Sequence, residues 1–190
     1  MPLASYATVS VCGDFGPWIS KLILDLPADV SSFSLRTSSF NVYCERYETS
    51  GSILLRAEDK GAEPVPSVGY LSVADVYPCD EKGNEIHTTT SDHVALILPE
   101  VRLTKQIEGT VTGSRSIENR FRVTQLTPLE STGLSSSPIS GLVFDTLREA
   151  YSPDLMGWHN AAVSQKVDDV ALSYGYYDPD SDKKAPLIVW

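Results

Sequence analysis

Few residues in this 190-residue chain are suited to acid–base or metal chemistry, and their spacing forms no recognised catalytic pattern. The histidines are His87, His93 and His159. None stands in a His-Glu-x-x-His or comparable arrangement, so a catalytic zinc site is not indicated. His87 and His93 flank the start of a strand-like segment and read as surface residues. His159, in Met156-Gly157-Trp158-His159-Asn160, has Asp154 nearby, but a Ser–His–Asp relay through it would lack a defined nucleophile. The closest approach to a Gly-x-Ser-x-Gly elbow is Gly133-Leu134-Ser135-Ser136-Ser137, with Ser137 where the second glycine must be. That stretch reads as linker.

Ligand sets for metals or cofactors are equally sparse. Cys12, Cys44 and Cys79 cannot supply a four-thiolate site, and an odd, scattered set argues against a disulfide scaffold. Each lies beside strand-like sequence, where a free Cys packs as a small hydrophobe. A Cys12–Cys44 bridge stays open, with nothing in the sequence to support it. Asp178, Asp180 and Asp182 have the one-three-five spacing of a calcium loop. Lys183 replaces its glycine and Val189 its bidentate glutamate, so a solvated acidic turn is the better reading. No phosphate-cradling glycine motif occurs, and no cofactor is expected. Tyr174, Tyr176 and Tyr177 have apolar bodies with polar tips suited to a groove, although alternation favours packing of Tyr174 and Tyr176 on a neighbouring sheet. No catalytic residue is assigned within the chain.

The elements that would hold these residues are strands. Trp18 to Leu26 places Leu22, Leu24 and Leu26 on one face and Lys21 and Asp25 on the other. Ser39 to Arg46 places Phe40, Val42 and Cys44 on one side. Further strands are expected over Ile53 to Ala57, Val68 to Tyr77, Asp92 to Leu98, Phe121 to Leu126 and Leu172 to Tyr177. Gly61 to Pro66 reads as a loop, and Asp80-Glu81-Lys82-Gly83-Asn84 as a turn. Asp145 to Tyr151 suits a helical turn or two. Ser131 to Ser140 is the linker candidate. Short strands punctuated by Gly, Pro, Ser and Asp are the pattern of an all-β sandwich.

An apolar content of 42% with 21% charged residues suits a globular protein. The formal net charge of −10 repels phosphate backbones and anionic lipid, which argues against nucleic-acid and membrane partners. No stretch approaches the roughly 18 apolar residues of a spanning helix. The N-terminus lacks the character of a secretory signal, so the chain as written reads as cytoplasmic, or as secreted if an upstream signal has been removed.

The C-terminal residues Leu187-Ile188-Val189-Trp190 form an apolar run suited to a strand buried on both faces. Leu172-Ser173-Tyr174-Gly175-Tyr176-Tyr177-Asp178-Pro179, a charged spacer, and Ala185-Pro186-Leu187-Ile188-Val189-Trp190 resemble the opening hairpin of an α/β-hydrolase catalytic domain of the esterase and depolymerase-like branch. The body of the chain resembles the immunoglobulin-like N-terminal domain of EstA-type esterases. The matching pieces are Ile19 to Asp29, Ser39-Phe40-Asn41-Val42, Val73 to Asn84 and His93 to Leu98. The loop from Arg102 to Asn119 and the segment from Pro128 to Val170 depart from that pattern.

The resemblance implies a module preceding a hydrolase domain, aiding subunit assembly and shaping access to an active site whose triad lies downstream. The expected organisation is an extension over 1–14, an immunoglobulin-like β-sandwich over 15–127, an irregular linker over 128–170, and the first strands of a truncated hydrolase domain over 171–190. Tyr174, Tyr176, Leu187, Val189 and Trp190 are the candidate interaction residues, toward a downstream hydrolase domain or other subunits. Two rivals remain: a fragment of an active esterase or peptidase, and a carbohydrate-binding sandwich using Trp18, Trp158 or the tyrosine cluster.

Overall fold

The computed structural model describes residues 4–13, 16–57, 61–107, 113–132, 137–156, 158–167 and 170–177, with side chains as far as Met156. The chain divides into two compact units, Met1–Ser152 and Pro153–Trp190. Among its described residues, the regular structure of the first is all β apart from two 3-10 turns at Ser32–Ser34 and Thr37–Ser39. Its strands are β1 (Ala4–Gly13), β2 (Gly16–Ser31), β3 (Phe40–Glu48), β4 (Leu55–Arg56), β5 (Val65–Pro66), β6 (Val68–Leu71), β7 (Asp75–Pro78), β8 (Thr90–Arg102), β9 (Thr104–Gln106), β10 (Ser114–Gln125) and β11 (Val143–Tyr151).

Nine of these strands make one curled sheet in the order β6-β3-β10-β11-β1-β2-β8-β7, with β9 on β10. Strands β4 and β5 form a separate two-stranded ribbon. The sheet curls into an immunoglobulin-like sandwich because its two halves turn apolar faces toward each other. Leu22, Leu24 and Leu26 of β2 and Val94, Leu96 and Leu98 of β8 meet Phe40, Val42 and Cys44 of β3 and Phe121 and Val123 of β10 in one buried cluster. Tyr6 of β1 joins the halves. Its ring stands edge-on to Phe121, with centroids 6.0 Å apart, and its Oη accepts the Phe121 backbone N–H at 3.1 Å.

A second, smaller cluster lies on the other face of β1, β2 and β8, where Ala7, Val9, Ile23 and Ala95 are buried with Cys79. The turn after β7 covers it. Asp80 Oδ1 accepts the backbone N–H groups of both Lys82 and Asn84. Gly83 takes φ +82°, and a Cβ there would sit 2.9 Å from Ile23 Cδ1. Glycine is needed on both counts.

Several expectations are corrected. Residues 4–13, expected as an extension, form a central strand between β2 and β11. Both faces of β1 are buried, so it lacks the alternation that marks a half-buried strand. The helical turn expected over Asp145 to Tyr151 is instead β11, parallel to β1. Its residues from Asp145 to Ala150 are all exposed, so no period marks them and the backbone ladder decides their conformation. The single strand expected over Val68 to Tyr77 is two, because Ser72-Val73-Ala74 crosses the sandwich: β6 pairs with β3 and β7 with β8. The long loop expected from Arg102 to Asn119 is largely β9 and the start of β10.

The ends of the linker candidate are tied down. Ser131 bridges Val30, and Ile139 bridges the fully buried Leu129. In the second unit β12 (Trp158–Val167) pairs antiparallel with β13 (Val170–Tyr177). The sequence expects Leu172–Tyr177 to pair with Leu187–Trp190, which lies outside the described residues.

Candidate functional site

Two polar groupings sit on the outer faces of the sandwich, one on each half. On the first, strand alternation turns Ser5, Asp25 and His93 outward from β1, β2 and β8, and Arg148 reaches in from β11. Arg148 grips Asp25 as a fork, with Nε 2.9 Å from Oδ2 and Nη2 3.3 Å from Oδ1. Ser5 Oγ donates to the same carboxylate. His93 stands opposite Asp25 in the β2–β8 register, with Nε2 3.5 Å from Asp25 Oδ1 and Nδ1 2.7 Å from Asp92 Oδ1. Arg148 also meets the Tyr151 hydroxyl at 3.3 Å.

This order of residues decides the chemistry. A hydrolytic relay sets the imidazole between hydroxyl and carboxylate, so that the His can take the hydroxyl proton. Here Asp25 is in the middle. It accepts from a guanidinium and a serine, and the imidazole is hydrogen-bonded through Nδ1 to Asp92 rather than to Ser5. The group is a clasp joining β11, β1, β2 and β8. Among the described residues no three His, Cys, Asp or Glu side chains converge as a metal-holding group.

The second grouping lies on the outer face of β6, β3 and β10. The register aligns Tyr70, Tyr43 and Arg122 in one row across the three strands, with Asn41 and Thr124 paired in the next. These five side chains line an open depression of about 450 Å³. Tyr70 is 71% exposed, and its ring meets that of Tyr43 edge-on at 5.1 Å. Farther along the face, the Arg120 guanidinium lies over the Tyr47 ring at 4.2 Å and pairs with Glu118 at 2.7 Å. The hydrogen bond from Arg120 holds the Glu118 carboxyl below its usual range.

The sequence-derived candidates are placed unevenly. Tyr174 and Tyr176 stand on β13 opposite Ala161 and His159 of β12. Leu187, Val189 and Trp190, the triple-aspartate turn at 178–182 and Gly133 to Ser136 lie outside the described residues. His87 is exposed, as its position implies, whereas His93 is half-buried in the Asp25 clasp. Cys44 and Cys79 are buried packing residues, and none of Cys12, Cys44 and Cys79 is in a disulfide. Cys12 departs from that expectation, being exposed at the end of β1. Trp18 packs where a Cβ on Gly13 would collide with its ring. The row of Tyr70, Tyr43 and Arg122 was missed. Alternation in β3 turns Tyr43 outward, but only strand pairing reveals what stands beside it.

The family description "esterase Ig-like N-terminal domain" matches residues 5–137. The chain belongs to that family. The matched span of this esterase Ig-like domain begins within β1 and takes in both sandwich halves through β10. Among solved structures, a thermostable esterase superposes with a TM-score of 0.68 at 11% identity, covering 94% of this chain. That likeness shows the fold. The chain spans 43% of the length of that esterase. No curated protein matches it.

Proposed function

We propose that this esterase-associated domain is non-catalytic and serves a carboxylic-ester hydrolase by surface contact, with the hydrolase domain or with other subunits. The observation that carries the reading is the family match over residues 5–137. The Asp25 clasp agrees with it, because its imidazole does not stand between hydroxyl and carboxylate as a Ser–His–Asp relay requires. On this reading the parent is a serine esterase of the α/β-hydrolase type, whose triad comes from residues beyond this chain. The contact residues are Tyr174 and Tyr176 of β13 together with Leu187, Val189 and Trp190. Apolar and aromatic anchors of this kind carry most interface energy.

The test is hydrolysis of p-nitrophenyl acetate and butyrate by the purified chain. Rates equal to buffer are expected, and turnover above buffer would refute the reading. Sedimentation of a chain ending at Ala171 tests the contact residues. Unchanged oligomeric state and solubility would remove the role given to them.

A further inference from the structure

The open depression on the outer face of β6, β3 and β10 has the parts of a small-ligand site that the family match does not account for. Its volume of about 450 Å³ falls within the roughly 300–1,000 Å³ of small-molecule sites. We propose that it binds an anionic sugar ring, of the uronic-acid class found in acidic polysaccharides.

Three observations combine. The first is the ring of Tyr70, 71% exposed and in edge-to-face contact with that of Tyr43. The faces of a pyranose are lined with C–H groups, and the negative face of an aromatic ring attracts them. The second is Arg122. Arg102, Arg115, Arg120 and Arg148 each pair with a carboxylate. Arg122 has no ion pair among the described residues, in a chain of net charge −10. Its planar fork suits two parallel bonds to one carboxylate. The third is the Asn41 and Thr124 pair beside it, whose amide and hydroxyl donate and accept as ring hydroxyls require.

The surroundings favour an acidic sugar over the alternatives. A neutral sugar would leave Arg122 unused. A stable protein partner needs about 800 Å² on each side, and the neighbouring rows here are held by charged pairs such as Glu118–Arg120. A second cleft of about 180 Å³ adjoins at the β6 edge and shares Tyr70, with Arg46 and Arg56 in its lining.

Isothermal titration of the whole chain with a galacturonic-acid hexamer and with cellohexaose tests the proposal. The uronate should bind at least tenfold more tightly than the neutral hexamer. Tyr70→Ala and Arg122→Ala should each weaken uronate binding at least tenfold, and Arg122→Lys should fall between. These side chains are exposed, so circular dichroism and the melting temperature should not change. Absence of uronate binding at low salt would overturn the proposal. So would equal affinity for the neutral hexamer, or uronate binding indifferent to Tyr70→Ala, which would mark attraction by charge alone. None of these readouts depends on esterase activity, so the accessory-domain reading stands or falls separately.

Discussion

Replacing Tyr6 by Phe isolates one hydrogen bond that ties the sandwich halves together. Tyr6 is 2% exposed, and its hydroxyl is the acceptor for the Phe121 backbone N–H at 3.1 Å. The substitution keeps the ring and its edge-on contact with Phe121, so almost no apolar burial is lost. What remains is a backbone donor stranded in the core, which costs roughly 1–3 kcal/mol. A loss of about 2 kcal/mol is expected, or about 4–8 °C in Tm for a unit of this size. Urea unfolding should show the midpoint falling with an unchanged slope, because the surface exposed on unfolding is the same. Tyr6→Ala also removes the ring, and should cost roughly 3–5 kcal/mol. If Tyr6→Phe lies within about 0.5 kcal/mol of the parent, the N–H has another partner and the reasoning fails. If Phe and Ala cost the same, the ring contact is not what packs β1 onto β10.

Two further predictions concern buried thiols and the outer-face clasp. Burial pushes Cys44 up to about 11 and Cys79 up to about 12, against a thiol value near 8.5 in an unfolded chain. The folded values are raised, so this stability is complete below about pH 8.5 and drains away as pH rises through the folded values. The urea midpoint should fall between about pH 9 and 12, and a flat profile there would refute the burial argument. Burial also raises the Tyr6 phenol, which adds to the fall. Ellman's reagent at pH 8 should find the exposed Cys12 in the native protein and all three thiols in denaturant. For the clasp, the side chains of Asp25 and Arg148 are 21% and 27% exposed. A double-mutant cycle of Asp25→Ala and Arg148→Ala should give a coupling of about 1 kcal/mol, weakening with salt. Strictly additive single losses would remove the clasp.

The core was legible where one face of a strand is buried and the other wet. Leu22, Leu24 and Leu26 against Lys21 and Asp25, and Phe40, Val42 and Cys44 against Asn41 and Tyr43, announce their faces by alternation alone. The two strands that join the halves announce nothing. In β1, Ala7 and Val9 are buried on the face opposite Tyr6, so apolar residues stand at successive positions. In β11, everything from Asp145 to Ala150 is exposed, and Leu-Arg-Glu-Ala reads as helix because the ladder to β1 is a long-range fact. The same limit applies to the outer faces. Tyr43 and Tyr70 are 27 positions apart in the chain and adjacent only through the β3–β6 register.

The Asp25 clasp brings together chemistry that no local stretch of the sequence contains. Hydrolase motifs are local because the nucleophile must sit on one strained turn, and no such turn was found in the sequence. Ser5, Asp25, His93 and Arg148 come from four separate strands, and together they contain every residue type a relay would need. Composition alone would make them a candidate triad. Connectivity removes them, since the serine hydroxyl donates its hydrogen bond to the carboxylate rather than to the imidazole. The same reasoning favours the opposite half of the sandwich as the binding surface. There Tyr70 is largely exposed, and the Arg122 guanidinium, unlike those of Arg115, Arg120 and Arg148, has no carboxylate partner among the described residues. A charged group already satisfied within the fold has little to offer a ligand, while an unsatisfied one beside an exposed ring does.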